Sequence, residues 1–468
     1  MKNESQSQGM NRREFLKTSA GAGVGAATLT GALVGCQPNV KEGQTVLAAP
    51  TRNLGPAPQK LFTAPPMDRV RIGFVGVGGM GSAHVRSFLR IENVEVKAVC
   101  DIVEEKVQRI QKWTVEAGQP EPTGYSRGEE DFKRMCETEE LDLVFTATPW
   151  RWHVPVCIAA MENGKHAATE VPAAVTIDEC WQLVETAEKR GKHCLMMENC
   201  NYGRRELLIL NLVRKGLLGE VMHTECGYLH DLRGVKFDYN GEGLWRREHS
   251  KTRNGNLYPT HGLGPVAQCM DINRGDQFDY LVSMSSNSRG LQEYVKNTFP
   301  EGSAEHDETY RLGDVNVTLI KTVKGRTIYL NHDTNLPRPY SRLNIVQGTK
   351  GLVEGYPDRI HIEGRSPGHG WEELDSYYEE FDHPLWKGLQ EKSKGAGHGG
   401  MDFVEDYRLV QCLLKGWPLD MDVYDAAALS AISELTEISV ANGSMPIKCP
   451  DFTRGMWQKY PSLGIVEA

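Results

Sequence analysis

The chain has 468 residues, 40% of them hydrophobic, with 53 basic and 62 acidic side chains and a net charge of −9. Length alone predicts about two or three domains with material for a full core. The acidic balance, with no Lys/Arg block beyond the N-terminus, speaks against nucleic acid as a partner, and the 11 scattered cysteines, without a CxxC pair, read as small buried hydrophobes.

Asn11-Arg12-Arg13-Glu14-Phe15-Leu16-Lys17 resembles a twin-arginine export signal, and the weakly apolar stretch after it ends in Leu33-Val34-Gly35-Cys36, which resembles a lipobox. The resemblance implies export of an already folded protein, cleavage before Cys36 and acylation of that cysteine. The product would be a lipoprotein anchored in a membrane without spanning it, in the periplasm or at the cell surface. Gln37 supplies no aspartate-type inner-membrane retention signal, which favours the outer membrane. A plain amphipathic extension is the other reading. No later segment approaches the roughly 18 to 20 apolar residues that a spanning helix needs. Residues 37–68, rich in Pro, Gly, Thr and Gln, read as a linker.

The folded part starts near Arg69. Val70 to Gly81, VRIGFVGVGGMG, reads as a buried strand running into Gly76-x-Gly78-x-x-Gly81. A dinucleotide-binding βαβ unit needs glycine there for the tight turn, for backbone approach to a pyrophosphate and for close helix-on-strand packing. A second apolar run, Val94 to Cys100, ends in Asp101, at about the 20-residue offset where ribose hydroxyls need an acceptor. With no arginine beside it, Asp101 would repel a 2′-phosphate, so the expected cofactor is NAD rather than its phosphorylated form.

Strands over Leu141–Thr148, His166–Glu170 and His193–Met197 alternate with helices over His153–Asn163 and Thr176–Arg190, which predicts an α/β doubly wound parallel sheet over residues 69–200. After a helix over Arg205–Lys215 the runs suit longer antiparallel strands: Val221–Leu229, Tyr280–Ser286, Asp314–Thr322, Arg326–Thr334, Arg342–Gly348 and Gly351–Glu354. Residues 201–468 are therefore expected to form an α+β substrate domain on a large open, mainly antiparallel sheet, closed by helices over Met401–Leu414 and Tyr424–Asn442.

In open α/β sheets ligands bind beyond the C-terminal strand ends. That rule collects Gly76, Gly78, Gly79, Met80, Gly81, Asp101, Trp150, Arg151, Trp152, His153, Glu170, Val171 and Asn199 as cofactor contacts. His261 can titrate near neutrality and lies three residues after Tyr258, so the pair could converge at a turn or helix start. A structural histidine hydrogen-bonded at the Pro259-Thr260 turn is the other reading. Tyr202 follows the last parallel strand and is the further candidate for proton transfer; it reads equally as a half-buried packing tyrosine. His398-Gly-Gly-Met-Asp402 offers too few ligands for a metal and reads as a loop closing over the pocket.

The motifs Thr148-Pro149-Trp150-Arg151-Trp152-His153, Ala160 to His166 and Glu170-Val171-Pro172 resemble the glucose-fructose oxidoreductase and inositol dehydrogenase superfamily. Ordinary members carry Glu-Lys-Pro in the last motif, the lysine moving the proton of the substrate hydroxyl. Val171 cannot do this. That departure, with Glu198-Asn-Cys-Asn-Tyr-Gly-Arg-Arg and Tyr258-Pro-Thr-His261-Gly-Leu-Gly-Pro, is similar to the NAD-dependent glycoside hydrolases of family 109, whose activity is α-N-acetylgalactosaminidase. The resemblance covers essentially the whole chain. It implies a glycan with terminal α-linked N-acetylgalactosamine as substrate, no net redox, and no metal. It places Tyr228, Arg247, Tyr258, Pro259, Thr260, His261 and Tyr340 on the sugar. It also suggests a homo-oligomer through the open face of the second sheet. The rival reading, an exported sugar oxidoreductase, is weakened by Val171; a non-catalytic sugar-binding lipoprotein would have no need of the pyrophosphate turn.

Overall fold

Short apolar runs largely buried on both faces are what a central parallel sheet requires. The six strands are β1 (Val70–Val75), β2 (Val94–Cys100), β3 (Thr123–Tyr125), β4 (Leu143–Thr146), β5 (His166–Thr169) and β6 (Cys194–Met196), ordered β3-β2-β1-β4-β5-β6 with every pair parallel. All but the edge strand β3 fit that description. The order reverses between β1 and β4, which is where such a sheet opens a crevice for a ligand. The computed structural model describes residues 46–465; the export signal, Cys36 and the beginning of the linker lie outside the described residues.

The crossover helices begin where their sequences carry start signals. Thr176 accepts from the Glu179 amide while the Glu179 carboxylate accepts from the Thr176 amide, a capping box that opens helix Ile177–Arg190, and Gly191 ends it in a left-handed conformation.

The second sheet is mixed. β7 (Val221–Leu229), β8 (Phe278–Ser285), β9 (Val315–Thr322), β10 (Thr327–Asp333), β11 (Ile345–Gly348), β12 (Gly351–Gly355), β13 (Asp358–Ile362), β14 (Glu372–Glu373) and β15 (Ile447–Lys448) are ordered β14-β13-β12-β11-β7-β10-β9-β8-β15. Its pairs are antiparallel except β7 with β10. One face packs on helices Thr260–Cys269 and Val423–Ala441; the other leaves Met222, Met284, Leu319 and Val323 exposed. Helix Val423–Ala441 also lies along helix Ile177–Arg190, and helix Met401–Lys415 lies against helix Gly79–Phe88. The C-terminal helices thereby close the first sheet, so a single buried core runs through both sheets.

The expectation of a free linker fails from Val46 onward. Leu47 exchanges backbone hydrogen bonds with Pro446 and Lys448 (2.8 and 2.9 Å), Trp181 donates to the Pro50 carbonyl, Tyr460 to the Pro58 carbonyl, and the Ala64 amide donates to His193. Ala57 and Ala64 are buried. The proline-rich text makes an extended strap, because rigid backbone with few donors of its own can lie on a surface that supplies them.

Candidate active site

A cavity of about 630 Å³ opens at the sheet reversal, running from Gly76, Gly78, Gly79 and Met80 to Tyr228, Tyr258 and His261. Gly76 sits at φ 77°, in the left-handed turn that only glycine adopts freely. Asp101 accepts from the Val77 amide (2.8 Å) and the Val103 amide (2.9 Å), which fixes its carboxylate on the cavity wall at the end of β2. Trp150, Arg151 and Trp152 make a single tight turn after β4, and buried His153 bonds the Pro172 and Thr148 carbonyls.

The residues fit a dinucleotide by a test internal to the structure. The Glu242 carboxylate accepts from the Gly79 amide at 2.7 Å and from Lys106 at 2.6 Å, at the start of helix Gly79–Phe88. A Cβ on Gly78 would overlap that carboxylate. The helix start thus already holds an anion by a backbone N–H and a lysine, as a pyrophosphate would be held.

The sugar end depends on close backbone approach. A Cβ on Gly262 would run into the Gly227 backbone, so this glycine lets helix Thr260–Cys269 lie directly against β7. His261, in the first turn of that helix, meets Tyr228 on β7 at a ring separation of 5.3 Å and Tyr258 at 4.8 Å. His261 Nδ1 lies 2.7 Å from Glu198 Oε1 at the end of β6. Burial favours the neutral acid at Glu198, but the His261 ring and the Cys200 amide outweigh it and hold the carboxyl below its ordinary range. Glu198, Cys200 and His261 bring their donor atoms within 4.8 Å of one another. Metal bonds of about 2.0–2.1 Å at tetrahedral angles set donor atoms about 3.3 Å apart, so the hydrogen-bonded 2.7 Å pair reads as a histidine–carboxylate dyad.

Burial pushes the Tyr228 phenol up to about 12 and that of Tyr258 well above its ordinary value, so both remain hydrogen-bond donors at neutral pH. Arg246 stacks over Trp150, Trp245 and Tyr258, closing this aromatic wall.

Across the cavity, Glu170 opens onto the same space beside Val171. His84 bonds Glu170 Oε1 and Asp406 Oδ1, both at 2.8 Å, deep in the core. Burial alone would lower the His84 pKa, but the two carboxylates outweigh it and hold the ring well above 6.5. Burial likewise drives the neighbouring Glu405 carboxyl well above 4.5. Both groups bind their protons more tightly folded than unfolded. Their contribution to stability is full below the unfolded values and is lost as pH rises toward the folded ones. Thermal unfolding is therefore expected to show Tm falling as pH climbs above about 6.5, by about 1 °C per kcal/mol lost, with a shallower slope for His84→Gln. An equal slope in the variant would contradict this.

His398, at φ 48°, bonds Asp402 Oδ2 at 2.8 Å, and Asn199 donates to Asp402 Oδ1 at 2.7 Å. The Asp402 hydrogen bond raises the His398 pKa. The loop over 397–400 thus supplies a second histidine–carboxylate pair on the cavity wall.

Of the residues expected on the cofactor, all but Gly81 line the cavity; Gly81 lies beneath the turn against the Gly76 carbonyl. Among the expected proton-transfer and sugar-contact residues, Tyr202, Arg247, Pro259, Thr260 and Tyr340 do not line the cavity. Tyr202 is buried with its hydroxyl on Asp420, away from the cavity, because its short helical turn points it into the core. Arg247 turns toward Tyr239 and Glu308, and its neighbour Arg246 takes the cavity side, a one-residue phase error on helix Leu244–Thr252. Pro259 and Thr260 are buried behind His261 rather than on the cavity surface. Tyr340, also expected on the sugar, does not line the cavity; its ring stands 6.2 Å from that of Tyr228, which does. Glu198, Glu242, Arg246, His84 and Asp406 were not singled out from the sequence; only Glu198, adjacent to Asn199, lay in a quoted motif.

Residues 202–459 match the model of the glycosyl hydrolase 109 C-terminal domain, and residues 70–198 that of the oxidoreductase family NAD-binding Rossmann fold. The chain is 47% identical over 462 residues to a glycosyl hydrolase family 109 protein of Shewanella pealeana, covering 98% of this chain and 99% of that one. The chain belongs to glycosyl hydrolase family 109. A family 109 protein of Solibacter usitatus is 51% identical over 84% of this chain and 90% of its own. A protein of Shewanella oneidensis named alpha-N-acetylgalactosaminidase is 45% identical over 98% and 99%. Among solved structures, levoglucosan dehydrogenase in complex with NADH and levoglucosan superposes with a TM-score of 0.64 at 18% identity, covering 82% of this chain and all of that one. The scyllo-inositol dehydrogenase of Lactobacillus casei with bound NAD(H) and scyllo-inositol gives 0.58 at 14%, over 81% and 99%. These likenesses show the fold. This family 109 chain is thus an NAD-dependent glycoside hydrolase, and the cradle at Gly76–Met80 and Asp101 is its candidate cofactor site.

Proposed function

We propose that this chain releases terminal α-linked N-acetylgalactosamine from a glycan by oxidation, elimination, addition and reduction, with no net redox. The name of the Shewanella oneidensis relative supports the sugar. The observation that carries the mechanism is the His261–Glu198 dyad on the same cavity as Glu170-Val171, where an oxidoreductase would need a proton-moving lysine.

NAD, when bound, would accept the hydride of carbon 3 as the hydroxyl there gives up its proton to water, and would return that hydride at the end as a proton comes back to the same oxygen. His261, with Nδ1 engaged by Glu198, presents Nε2 to take the proton that the carbon 3 ketone has made acidic on carbon 2. Glu198 stays ionised and stabilises the imidazolium so formed. As the carbon 1–oxygen bond breaks, His398, whose proton Asp402 helps retain, donates to the leaving oxygen. Tyr228 and Tyr258 donate hydrogen bonds to the sugar, and the aromatic wall with Arg246 covers its apolar face. Water then adds at carbon 1, giving a proton back to His398, and the His261 imidazolium returns its proton to carbon 2.

The deciding experiment follows 4-nitrophenol released from its α-N-acetylgalactosaminide while absorbance at 340 nm is read in the same cuvette. Release at constant 340 nm absorbance is expected. Steady NADH formation with free sugars and no nitrophenol would overturn the reading in favour of a sugar oxidoreductase.

Two further readings belong with this one. Arg12-Arg13 and the Leu33–Cys36 tetrapeptide support export in the folded state and anchoring through acylated Cys36; recovery of Cys36→Ser from the soluble rather than the membrane fraction tests it. The exposed Met222, Met284 and Leu319 on the open sheet support self-association through that face, which light scattering of the Met284→Lys variant would read as a lower mass.

A further inference from the structure

Beside the catalytic cavity runs a second groove of about 530 Å³, between the start of helix Arg204–Arg214 and the segment 378–401. The two spaces meet at His398, which lines both. A line of rings marks the same route: Tyr258 to Tyr228 at 4.5 Å, Tyr228 to Tyr340 at 6.2 Å, and Tyr340 to Tyr356 at 6.3 Å. Tyr356 lies on the groove wall.

The groove is built rigidly. Arg205 stacks over Tyr356 at 4.5 Å and is held by Asp358; Arg204 stacks over Tyr378 at 4.5 Å and is held by Asp382. Arg342, 5% exposed, bonds Glu206 and the Tyr340 hydroxyl, yet its Nε has no hydrogen-bond partner among the described residues. Leaving a buried donor unpaired is costly, and a bound acceptor would remove that cost. Each arginine has its charge balanced by a carboxylate, so the groove offers fixed N–H donors and flat ring faces with little net charge. That chemistry suits a neutral carbohydrate, whose hydroxyls accept while its C–H face stacks on aromatic rings. The size falls in the range of about 300–1,000 Å³ that encloses a compact ligand.

Resting on the proposed exo-acting reaction, we infer that this groove is a leaving-group subsite that binds the sugar residues on the reducing side of the scissile bond. The terminal sugar is enclosed at the cofactor end, so the remainder of the glycan must leave the cavity past the residue that protonates the glycosidic oxygen. The groove begins at that residue.

The test compares 4-nitrophenyl α-N-acetylgalactosaminide with a trisaccharide carrying α-N-acetylgalactosamine on lactose, using the full chain with its NAD. Tyr356→Ala is expected to lower kcat/KM at least tenfold for the trisaccharide, mainly through KM, and less than twofold for the nitrophenyl glycoside. Tyr378→Ala, on the opposite ring, is expected to show the same split, so that misfolding of one variant does not decide the matter. Equal losses on both substrates, or none on the trisaccharide, would overturn the subsite. Saturation-transfer NMR with lactose alone reads the groove without turnover. A lactose signal that disappears in Tyr356→Ala supports the subsite even if neither glycoside is cleaved, whereas no signal in the unaltered protein refutes it.

Discussion

Replacing His261 with Ala is expected to lower kcat by about 10²- to 10⁴-fold, the ordinary contribution of a positioned acid or base, while bound NAD is retained. The geometry sets both halves of that expectation. His261 faces the sugar end of the cavity, hydrogen-bonded to Glu198 at 2.7 Å, and among the described residues its ring partners are Tyr228 and Tyr258, outside the cofactor cradle. Glu198→Gln keeps the shape but removes the charge that stabilises the imidazolium, so a smaller loss, roughly ten- to a hundredfold, is expected. Steady-state kinetics with cofactor content measured by absorbance checks both; an Ala variant within twofold of the unaltered enzyme would remove His261 from the chemistry.

Gly81→Ala is expected to do the converse. Its added Cβ would meet the Gly76 carbonyl, which belongs to the turn itself and cannot swing aside as a side chain could. Helix Gly79–Phe88 would have to back away from β1, at an overpacking cost of about 1–3 kcal/mol. The Gly79 amide would leave its anion-binding position with it. The variant is expected to purify with at least tenfold less NAD and a lower Tm, and to regain part of its activity only at high added NAD. Full cofactor content would show that the turn tolerates the methyl group and that this glycine serves packing alone. Taken together, the two variants separate loss of chemistry with cofactor present from loss of cofactor with the dyad present.

In the first sheet β1, β2, β4, β5 and β6 were readable because each is a largely buried apolar run, while β3, with Thr123 and Gly124 exposed, and the helices Glu104–Glu116 and Asp131–Thr138 were missed. The Thr176 capping box and the glycine turn are local devices with local signatures. The second sheet was readable as runs, with β7 found to the residue, but β13, β14 and β15 were missed. β14 and β15 are two-residue edge pieces, too short to show alternation, and β15 pairs with β8 far along the chain, whereas β13 forms a hairpin with β12 across Tyr356-Pro357. Tyr202 and Arg247 show the limit on side chains. Each stands in a segment placed near the cleft, yet a rotation of one residue along a helix moves a side chain by about 100°, enough to exchange Arg247 for Arg246.

By itself the sequence determined the cofactor: three glycines, an acid at the right offset and an alternating strand–helix pattern are short-range facts that dictate a pyrophosphate cradle and a ribose acceptor. It also pointed to the departure from alcohol oxidation, since valine at position 171 has no proton to move. Only the tertiary structure decided which groups share protons. Glu198 meets His261 across 63 positions, His84 meets Asp406 across 322, and Glu242 reaches the Gly79 amide across 163. Such pairs carry no period and no motif. Hydrogen bonding acts over about 3 Å, and separations of that size between distant positions exist only once the backbones of Gly227 and Gly262 have come together and the C-terminal helices have closed over the first sheet.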